Sequence, residues 1–323
     1  MRIVHGFSAA EFDGAAGALS IGNFDGVHLG HRQILDCAAE RARQVRGPLV
    51  VMTFDPHPLA VLRPDRAPPM LTPPDEKLAQ LAAAGVDATV VVAADRAFLS
   101  LTADDFVREV VVGRFRPRWV IEGPSFNYGR DRGGDNETLR LAGREHGFDV
   151  CVVESVEVEV DPGRHEMVSS SLIRRAVAAG DVELAERALG RPYALLGPVV
   201  EGRRRGRTLG YPTANLDVGR QLLPAEGVYA GVAFVGGARY DAAVSIGRAP
   251  TFGETATLVE AHLLDFDGDL YDKRMRLELR GRIRGQATFP SAKELRAQID
   301  RDVADIRSLL GRTGIGGGRE YGA

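Results

Sequence analysis

Two histidines three residues apart, His28 and His31, lie in the run Gly22-Asn23-Phe24-Asp25-Gly26-Val27-His28-Leu29-Gly30-His31-Arg32. Imidazoles can donate to phosphate oxygens, and glycines let the backbone come close to such a ligand. The run follows the apolar segment Ala18–Ile21 and precedes a pattern that puts Ile34, Leu35, Ala38, Ala42 and Val45 on one helical face. This spacing predicts a strand, a glycine-bent turn and a helix. The start of such a helix aims unpaired backbone N–H groups at an anion. The same run also reads as a plain turn carrying two surface histidines.

Other clusters offer complementary chemistry. Thr53-Phe54-Asp55-Pro56-His57-Pro58 is a proline-stiffened turn that presents Asp55 and His57. Gly123-Pro124-Ser125-Phe126-Asn127-Tyr128-Gly129 places aromatics on a glycine-bounded loop, which can wall a flat ring. Val168-Ser169-Ser170-Ser171-Leu172-Ile173-Arg174 offers hydroxyls at a helix start and a guanidinium one turn later, donors suited to a triphosphate. Further on, Gly206-Arg207-Thr208-Leu209-Gly210-Tyr211-Pro212-Thr213-Ala214-Asn215 is glycine-rich and ends in Thr213 and Asn215. Two apart on an extended segment, these share a face and can offer oxygens to a cation or a phosphate. In Leu258–Leu264, Glu260 and His262 share a face by the same period, and Glu260 is a candidate general base. Each cluster also has a plain structural reading: a capped loop, a pinned surface loop, an ordinary serine cap, a barrel rim, an edge salt bridge. No Gly-x-x-x-x-Gly-Lys-Ser/Thr loop occurs, so any kinase chemistry here uses another phosphate cradle.

Two kinds of element must position these groups. Strand-like runs at Ala18–Ile21, 48–54, 88–93, 118–122 and 148–153 alternate with helical patterns, which implies a parallel sheet covered on both faces. Thr72 and Thr102 are read as threonine caps of helices. Ligands bind such sheets beyond the carboxyl ends of the strands, where both the 22–32 and 53–58 turns fall. After a helical pair at 170–178 and 182–189, strand-like runs follow one another at 193–200, 227–235, 239–246, 258–264 and 274–283. These predict a compact antiparallel barrel or sandwich, and a last helix spans 292–310. The 323 residues suffice for two domains, and 44% apolar with 26% charged residues is ordinary for a globular protein. A net charge of −3 argues against a general nucleic-acid or membrane-surface binder. The two cysteines, Cys37 and Cys151, lack metal spacing and read as buried thiols. Neither a secretory signal nor a membrane-length apolar run is visible, and a cytoplasmic location is the expectation.

The pattern His-x-Gly-His resembles the nucleotidylyltransferase signature. A class I aminoacyl-tRNA synthetase shares this turn but also needs a Lys-Met-Ser-Lys-Ser loop, and none surrounds Lys77, Lys273 or Lys293. The ordered set Gly-x-Phe-Asp-Gly-Val-His-x-Gly-His, Thr-Phe-Asp-Pro-His-Pro and Ser-Ser-Ser-x-Ile-Arg resembles the FMN adenylyltransferase module of bacterial FAD synthetases. The later set resembles riboflavin kinase: Gly-Arg-x-Leu-Gly-x-Pro-Thr-Ala-Asn, Pro224–Ala230, Ile246-Gly247, Pro250-Thr251-Phe252 and Glu-Ala-His-Leu-Leu-Asp-Phe. The resemblance spans roughly residues 18–310. It implies a Rossmann-like α/β nucleotidylyltransferase domain and a Greek-key β-barrel kinase domain with a C-terminal helix, which the change of texture near 188–193 places over 1–188 and 189–310, and the glycine-rich stretch 311–323 reads as a flexible tail. The resemblance also implies that riboflavin is phosphorylated to FMN and that FMN is adenylylated to FAD, with ATP and Mg²⁺ at each step. By the same resemblance, His28 and His31 stabilise the transferring phosphoryl group, and Gly22, Phe24, Gly26, Gly30, Ser169, Ser170 and Arg174 hold its triphosphate. Phe54, Asp55, Ser125, Phe126 and Tyr128 face the flavin. Gly206, Thr213 and Asn215 bind ATP, the last two with Mg²⁺, and Glu260 deprotonates the ribityl hydroxyl.

The family loop usually carries an acid or amide where this chain has Ser125, and Arg-x-Glu where it has Arg284-Gly285-Gln286. A kinase with weak or lost adenylyltransferase activity, or a flavin-binding regulator, is the alternative these departures leave. The partners expected are small molecules only, with the chain a monomer or weak homo-oligomer.

Overall fold

In a computed structural model, residues 1–6, 15–202, 210–250 and 255–312 are described. The chain divides into two units, Met1–Ser170 and Ser171–Ala323.

The strands of the first unit are β1 (Arg2–His5), β2 (Ala18–Ile21), β3 (Leu49–Phe54), β4 (Ala88–Val92), β5 (Trp119–Glu122), the short pair β6 (Asn127–Tyr128) and β7 (Gly134–Asp135), β8 (Asp149–Val152), and the hairpin β9 (Glu157–Asp161) with β10 (Arg164–Met167). Six of them form a parallel sheet in the order β1-β4-β3-β2-β5-β8. Its strands are near-continuous apolar runs because both faces are covered. Leu19, Ile21, Val50, Met52 and Val90 pack with Phe106, Val110 and Phe115 of the π-helical segment Phe106–Phe115. On the other face Ala18, Leu49 and Val51 pack with Leu35, Ala38 and Ala42 of α1 (Leu29–Gln44) and with Leu81. Each such fully buried leucine or phenylalanine contributes roughly 1.5–3 kcal/mol. The remaining helices of the unit are α2 (Pro58–Leu62), α3 (Pro74–Ala83), α4 (Arg96–Leu99), α5 (Ala103–Asp105) and α6 (Asn136–His146).

The chain runs from β2 through β3 to β4 on one side of β2 and then returns to its other side for β5. That reversal opens a crevice between β2 and β5 at their carboxyl ends, the ligand position of open α/β sheets.

Helix α7 (Ser170–Ala179) begins at the division between the units and is followed by α8 (Val182–Leu189). The strands β11 (Tyr193–Val200), β12 (Ala214–Leu216), β13 (Gly227–Val235), β14 (Ala238–Pro250), β15 (Thr255–Leu263) and β16 (Arg274–Arg284) then close an antiparallel barrel in the order β11-β12-β15-β14-β13-β16. The last helix, α9 (Ala292–Arg312), lays Ile306 and Leu310 against Ala230, Val232 and Leu264.

Most expected strands form within one or two residues at each end, except β14, which runs on to Pro250, and β15, which starts three residues early at Thr255. Strands β1 and β12 and the β9–β10 hairpin escaped the sequence reading: three to five residues, or polar alternation, give too short a pattern to stand out. Thr102 caps its helix as expected, its hydroxyl accepting from the Asp105 N–H at 3.1 Å. Thr72 does not cap. The cap position of α3 is Pro73, and Thr72 instead gives its N–H to the Asp25 carboxylate at 3.0 Å. Cys37 and Cys151 are half-buried free thiols with sulfurs 3.6 Å apart, and burial together with Cys151 pushes the Cys37 thiol up to about 11. The 313–323 part of the expected tail lies outside the described residues.

Candidate active sites

The His28–His31 turn is built on unusual backbone. Phe24, Gly26 and Val27 have φ of 49°, 93° and 37°. Left-handed backbone at a β-branched valine is strained, and the surroundings must over-determine it. They do so by burial and hydrogen bonding. Phe24 and Val27 are almost fully buried, and the Asp25 carboxylate accepts from the Leu71 and Thr72 N–H groups. The Ser170 hydroxyl donates to the Asp25 carbonyl at 2.7 Å.

The turn delivers His28 to the cap position of α1, where its Nδ1 accepts the His31 N–H at 3.2 Å. A neutral His28 ring therefore carries its proton on Nε2. The two imidazoles stack with centroids 3.6 Å apart and planes 16° apart, and Phe24 leans on His31 at 5.0 Å. Gly30 lies under this stack: a Cβ there would come within 3.3 Å of the His28 ring. Gly22 is similarly crowded by the Phe24 ring.

A cavity of about 280 Å³ opens over these residues. Its walls bring together Gly22, Phe24, His28, Gly30 and His31 with Ser125, Phe126, Ser169 and Ser170. The 123–129 loop is tied down by Asn136, whose amide donates to the Gly123 carbonyl at 3.0 Å. Five of the expected residues do not line the cavity. Tyr128 is buried in the core, its ring 5.6 Å from Phe126 and its hydroxyl paired with Thr138. Phe54 packs on Phe98 at 6.0 Å, and Asp55 is exposed at the carboxyl end of β3. Arg174 lies in α7, within the second unit. Gly26 shapes the turn without lining the cavity.

Two residues of this region were missed by sequence reasoning. Lys77, almost fully buried, donates to the Asn23 carbonyl, the Thr53 hydroxyl and the Phe54 carbonyl at 3.4, 3.1 and 3.1 Å, so one ammonium ties the ends of β2 and β3. Burial lowers its pKa, and Asp25 and Asp55 counter that. Glu122, also lining the cavity, accepts the Ile21 N–H at 2.7 Å where the β2–β5 ladder ends. Burial pushes its carboxyl well above the usual range. The only signal in the sequence was a charged residue closing an apolar strand run.

The second unit positions its candidates by ladder register. Asn215 of β12 faces Glu260 of β15, which faces Ser245 of β14. The three form a row across adjacent strands, on one face by the period of two. The neighbouring row, Ala214, Ala261 and Val244, points to the opposite face and is buried. Asn215 is itself buried, packed so closely on Gly202 that a Cβ there would fall 1.9 Å from its amide nitrogen. Gln286 donates to the Ser245 hydroxyl at 3.3 Å and to the Ile246 carbonyl at 2.9 Å. Arg284 is engaged by Asp302 of α9, at 2.7 to 3.1 Å. Tyr211 bonds Asp300 of α9 and meets the His262 ring edge-on at 5.4 Å, while His262 Nδ1 lies 2.8 Å from the Pro212 carbonyl. These contacts hold the segment that carries Thr213.

Thr213 also borders a cavity of about 460 Å³, lined further by Val199, Pro212, Ala214, Leu263 and the 266–271 loop. Among the described residues no cluster of three or more His, Cys, Asp or Glu could hold a metal. The available donors, the Thr213 hydroxyl and the Asn215 amide with the Glu260 carboxylate across the ladder, are hard oxygens. That set fits a cation carried largely by nucleotide phosphates rather than a protein cage. Gly206, Arg203–Arg205, Thr251 and Phe252 lie outside the described residues.

Residues 13–171 match the FAD synthetase family model, and residues 189–310 match the riboflavin kinase family model. The chain is 40% identical to the bifunctional riboflavin kinase/FMN adenylyltransferase of Escherichia coli K12, over 97% of this chain and 98% of that one. Its identity to the Bacillus subtilis protein of the same name is 35%, over 94% and 95%. Among solved structures, one called a macrolide-efflux protein from Streptococcus pneumoniae superposes with a TM-score of 0.85 at 29% identity, covering 95% of this chain and 99% of that one. Among the described residues no helix is long and apolar enough to cross a membrane.

Proposed function

The chain belongs to the bifunctional riboflavin kinase/FMN adenylyltransferase family, and on that premise we propose which of its residues carry each reaction. The protein phosphorylates riboflavin with ATP to FMN and adenylylates FMN with a second ATP to FAD and pyrophosphate.

We assign FMN formation to the Asn215–Glu260–Ser245 row. This register is the observation that carries the assignment, because it sets a carboxylate beside the amide of Asn215, two residues from Thr213. Glu260 takes the proton of the terminal ribityl hydroxyl as its oxygen attacks the γ-phosphorus, and the bond to the ADP oxygen breaks. Thr213 and Asn215 orient the phosphates. When Mg²⁺ is bound with ATP, it offsets phosphate charge at these oxygens. Of these residues Thr213 alone borders the 460 Å³ cavity, which we assign to the rest of the nucleotide.

We assign FAD formation to the first cavity. A phosphate oxygen of FMN attacks the α-phosphorus of ATP, and the bond to the pyrophosphate oxygen breaks. His28 and His31, held in a stack over the cavity, donate to the oxygens that gain charge. Ser169 and Ser170 bind the triphosphate at the start of α7, and Arg174, one turn on, adds a guanidinium. Ser125 and Phe126 contact the flavin, with the Tyr128 ring packed on Phe126. No covalent enzyme intermediate is required: positioning and preset donors suffice. Only two cysteines in 323 residues, neither with metal spacing, support a reducing cytoplasm as the site of action.

A time course with riboflavin, ATP and Mg²⁺, products separated by chromatography, tests the reading in wild type and in His31→Ala and Glu260→Gln. FMN followed by FAD is expected for wild type. Loss of FAD with FMN still formed in His31→Ala, and loss of FMN formation in Glu260→Gln with adenylylation of separately supplied FMN intact, supports the assignment; loss of riboflavin phosphorylation in His31→Ala, or of adenylylation of supplied FMN in Glu260→Gln, refutes it.

A further inference from the structure

The ladder between β2 and β5 pairs Ala18 with Trp119 and Leu19 with Val120, then stops. Beyond it the strands part to form the crevice. The Ile21 N–H has lost its β5 partner there, and the Glu122 side chain takes that place, its Oε1 accepting at 2.7 Å. Glu122 is 3% exposed and lines the cavity together with His28, His31, Ser125 and Phe126. Its Oε2 has no hydrogen-bond partner among the described residues.

A buried carboxylate with a single N–H partner and no cation is costly. Burial accordingly pushes the Glu122 carboxyl well above its usual range, which favours the protonated acid. A neutral carboxylic acid is both acceptor and donor. With one oxygen on Ile21, the remaining O–H is a donor in a crevice that must take up two heterocycles rich in acceptors. Keeping the group neutral also spares the site a negative charge near the triphosphate.

We propose that Glu122 is a specificity-determining residue of the first cavity, its carboxylic acid donating a hydrogen bond to a ring nitrogen or carbonyl oxygen of the adenine or of the isoalloxazine. The proposal rests on the assignment of that cavity to FAD formation. It gives the site a polar anchor beside Ser125, whose side chain is shorter than the acid or amide usual at that position.

The test measures KM for ATP and for FMN in adenylylation by full-length wild type, Glu122→Gln and Glu122→Met, with riboflavin phosphorylation by the same preparations as control. Glu122→Met is expected to raise one KM at least tenfold while FMN formation is unchanged: a rise for ATP identifies adenine, a rise for FMN the isoalloxazine. Glu122→Gln retains an acceptor for Ile21 and a donor for the ligand, so it is expected to stay within threefold of wild type near pH 7. It should also lack the KM increase that wild type shows as pH rises and the acid ionises. His28, His31 and Glu154, the other titratable groups around the cavity, are common to both proteins and drop out of that comparison. Unchanged KM values in Glu122→Met, a rise in both accompanied by a lower melting temperature, or superimposed pH profiles of wild type and Glu122→Gln would each overturn the proposal. The profile comparison decides the matter if Glu122→Met fails to fold. Retention of adenylylation in His31→Ala would instead overturn the cavity assignment itself.

Discussion

The two catalytic regions are assembled by different means. In the first unit, residues from the ends of β2, β5 and β10 and from the start of α7 converge on a crevice opened by the order of the strands. Strained backbone at Phe24 and Val27 and buried connections through Asp25, Lys77 and Glu122 hold it together. In the second, Asn215, Glu260 and Ser245 are adjacent simply because three antiparallel strands pair in register. A ladder positions side chains by a period of two, with its hydrogen bonds already satisfied. A crevice leaves backbone groups without partners, and buried polar side chains must satisfy them. The first site therefore concentrates perturbed titrating groups, Lys77 and Glu122, while its counterpart concentrates tight packing, as at Gly202.

This contrast is best attacked at the residues each region depends on. Glu260→Gln removes the proposed base without disturbing the ladder. FMN formation is expected to fall about 10²–10⁴-fold with adenylylation of supplied FMN intact, measured as separate initial rates. His31→Ala reverses the pattern, lowering FAD formation about 10²–10³-fold and sparing FMN formation. Lys77→Met tests whether the first site depends on buried connections. It leaves the Phe54 carbonyl and the Thr53 hydroxyl without the Lys77 donor and the Asn23 carbonyl with the Thr53 hydroxyl alone, and FAD formation should fall roughly tenfold with a lower melting temperature, about 1–3 kcal/mol per unsatisfied group being the scale. Gly202→Ala asks the packing question of the barrel: the new methyl displaces Asn215, and the ATP KM of the kinase step should rise about tenfold, or about 1.4 kcal/mol, with adenylylation unaffected.

The smallest effect is a difference in pH dependence. Folding raises the pKa of Glu122, so the folded state binds that proton more tightly than the unfolded one. Its contribution to stability is complete below the unfolded-state pKa and is lost as pH rises toward the folded value. Glu122→Gln should therefore melt higher than wild type at neutral and alkaline pH, with the gap closing toward pH 4, by calorimetry. A constant gap across that range would show that Glu122 does not change protonation on folding.

Local patterning made much of this legible. Ala18–Ile21, Tyr193–Val200, Gly227–Val235 and Val182–Leu189 form with the bounds their apolar spacing implies, because burial of a regular face dominates each. Thr72 misled because a threonine before two prolines looks like a cap until Asp25, 47 positions away, claims its N–H. Tyr128 looked like a flavin wall, yet its ring is part of the core and Phe126 lines the cavity.

The sequence by itself determined the chemistry on offer: the histidine turn, the hydroxyl-rich helix start, the Thr213–Asn215 pair and the lone strand carboxylate Glu260. It also determined the two textures, alternating and then all-strand, that divide the chain. Tertiary structure alone decided that β5 returns beside β2, that the ladder between them ends at Leu19, and that Glu122 and Lys77 fill the positions left open. The reason is physical. Periodicity records which face of an element is buried, and that is local. Which backbone groups lose their partners depends on strand order, and only the assembled sheet sets that order.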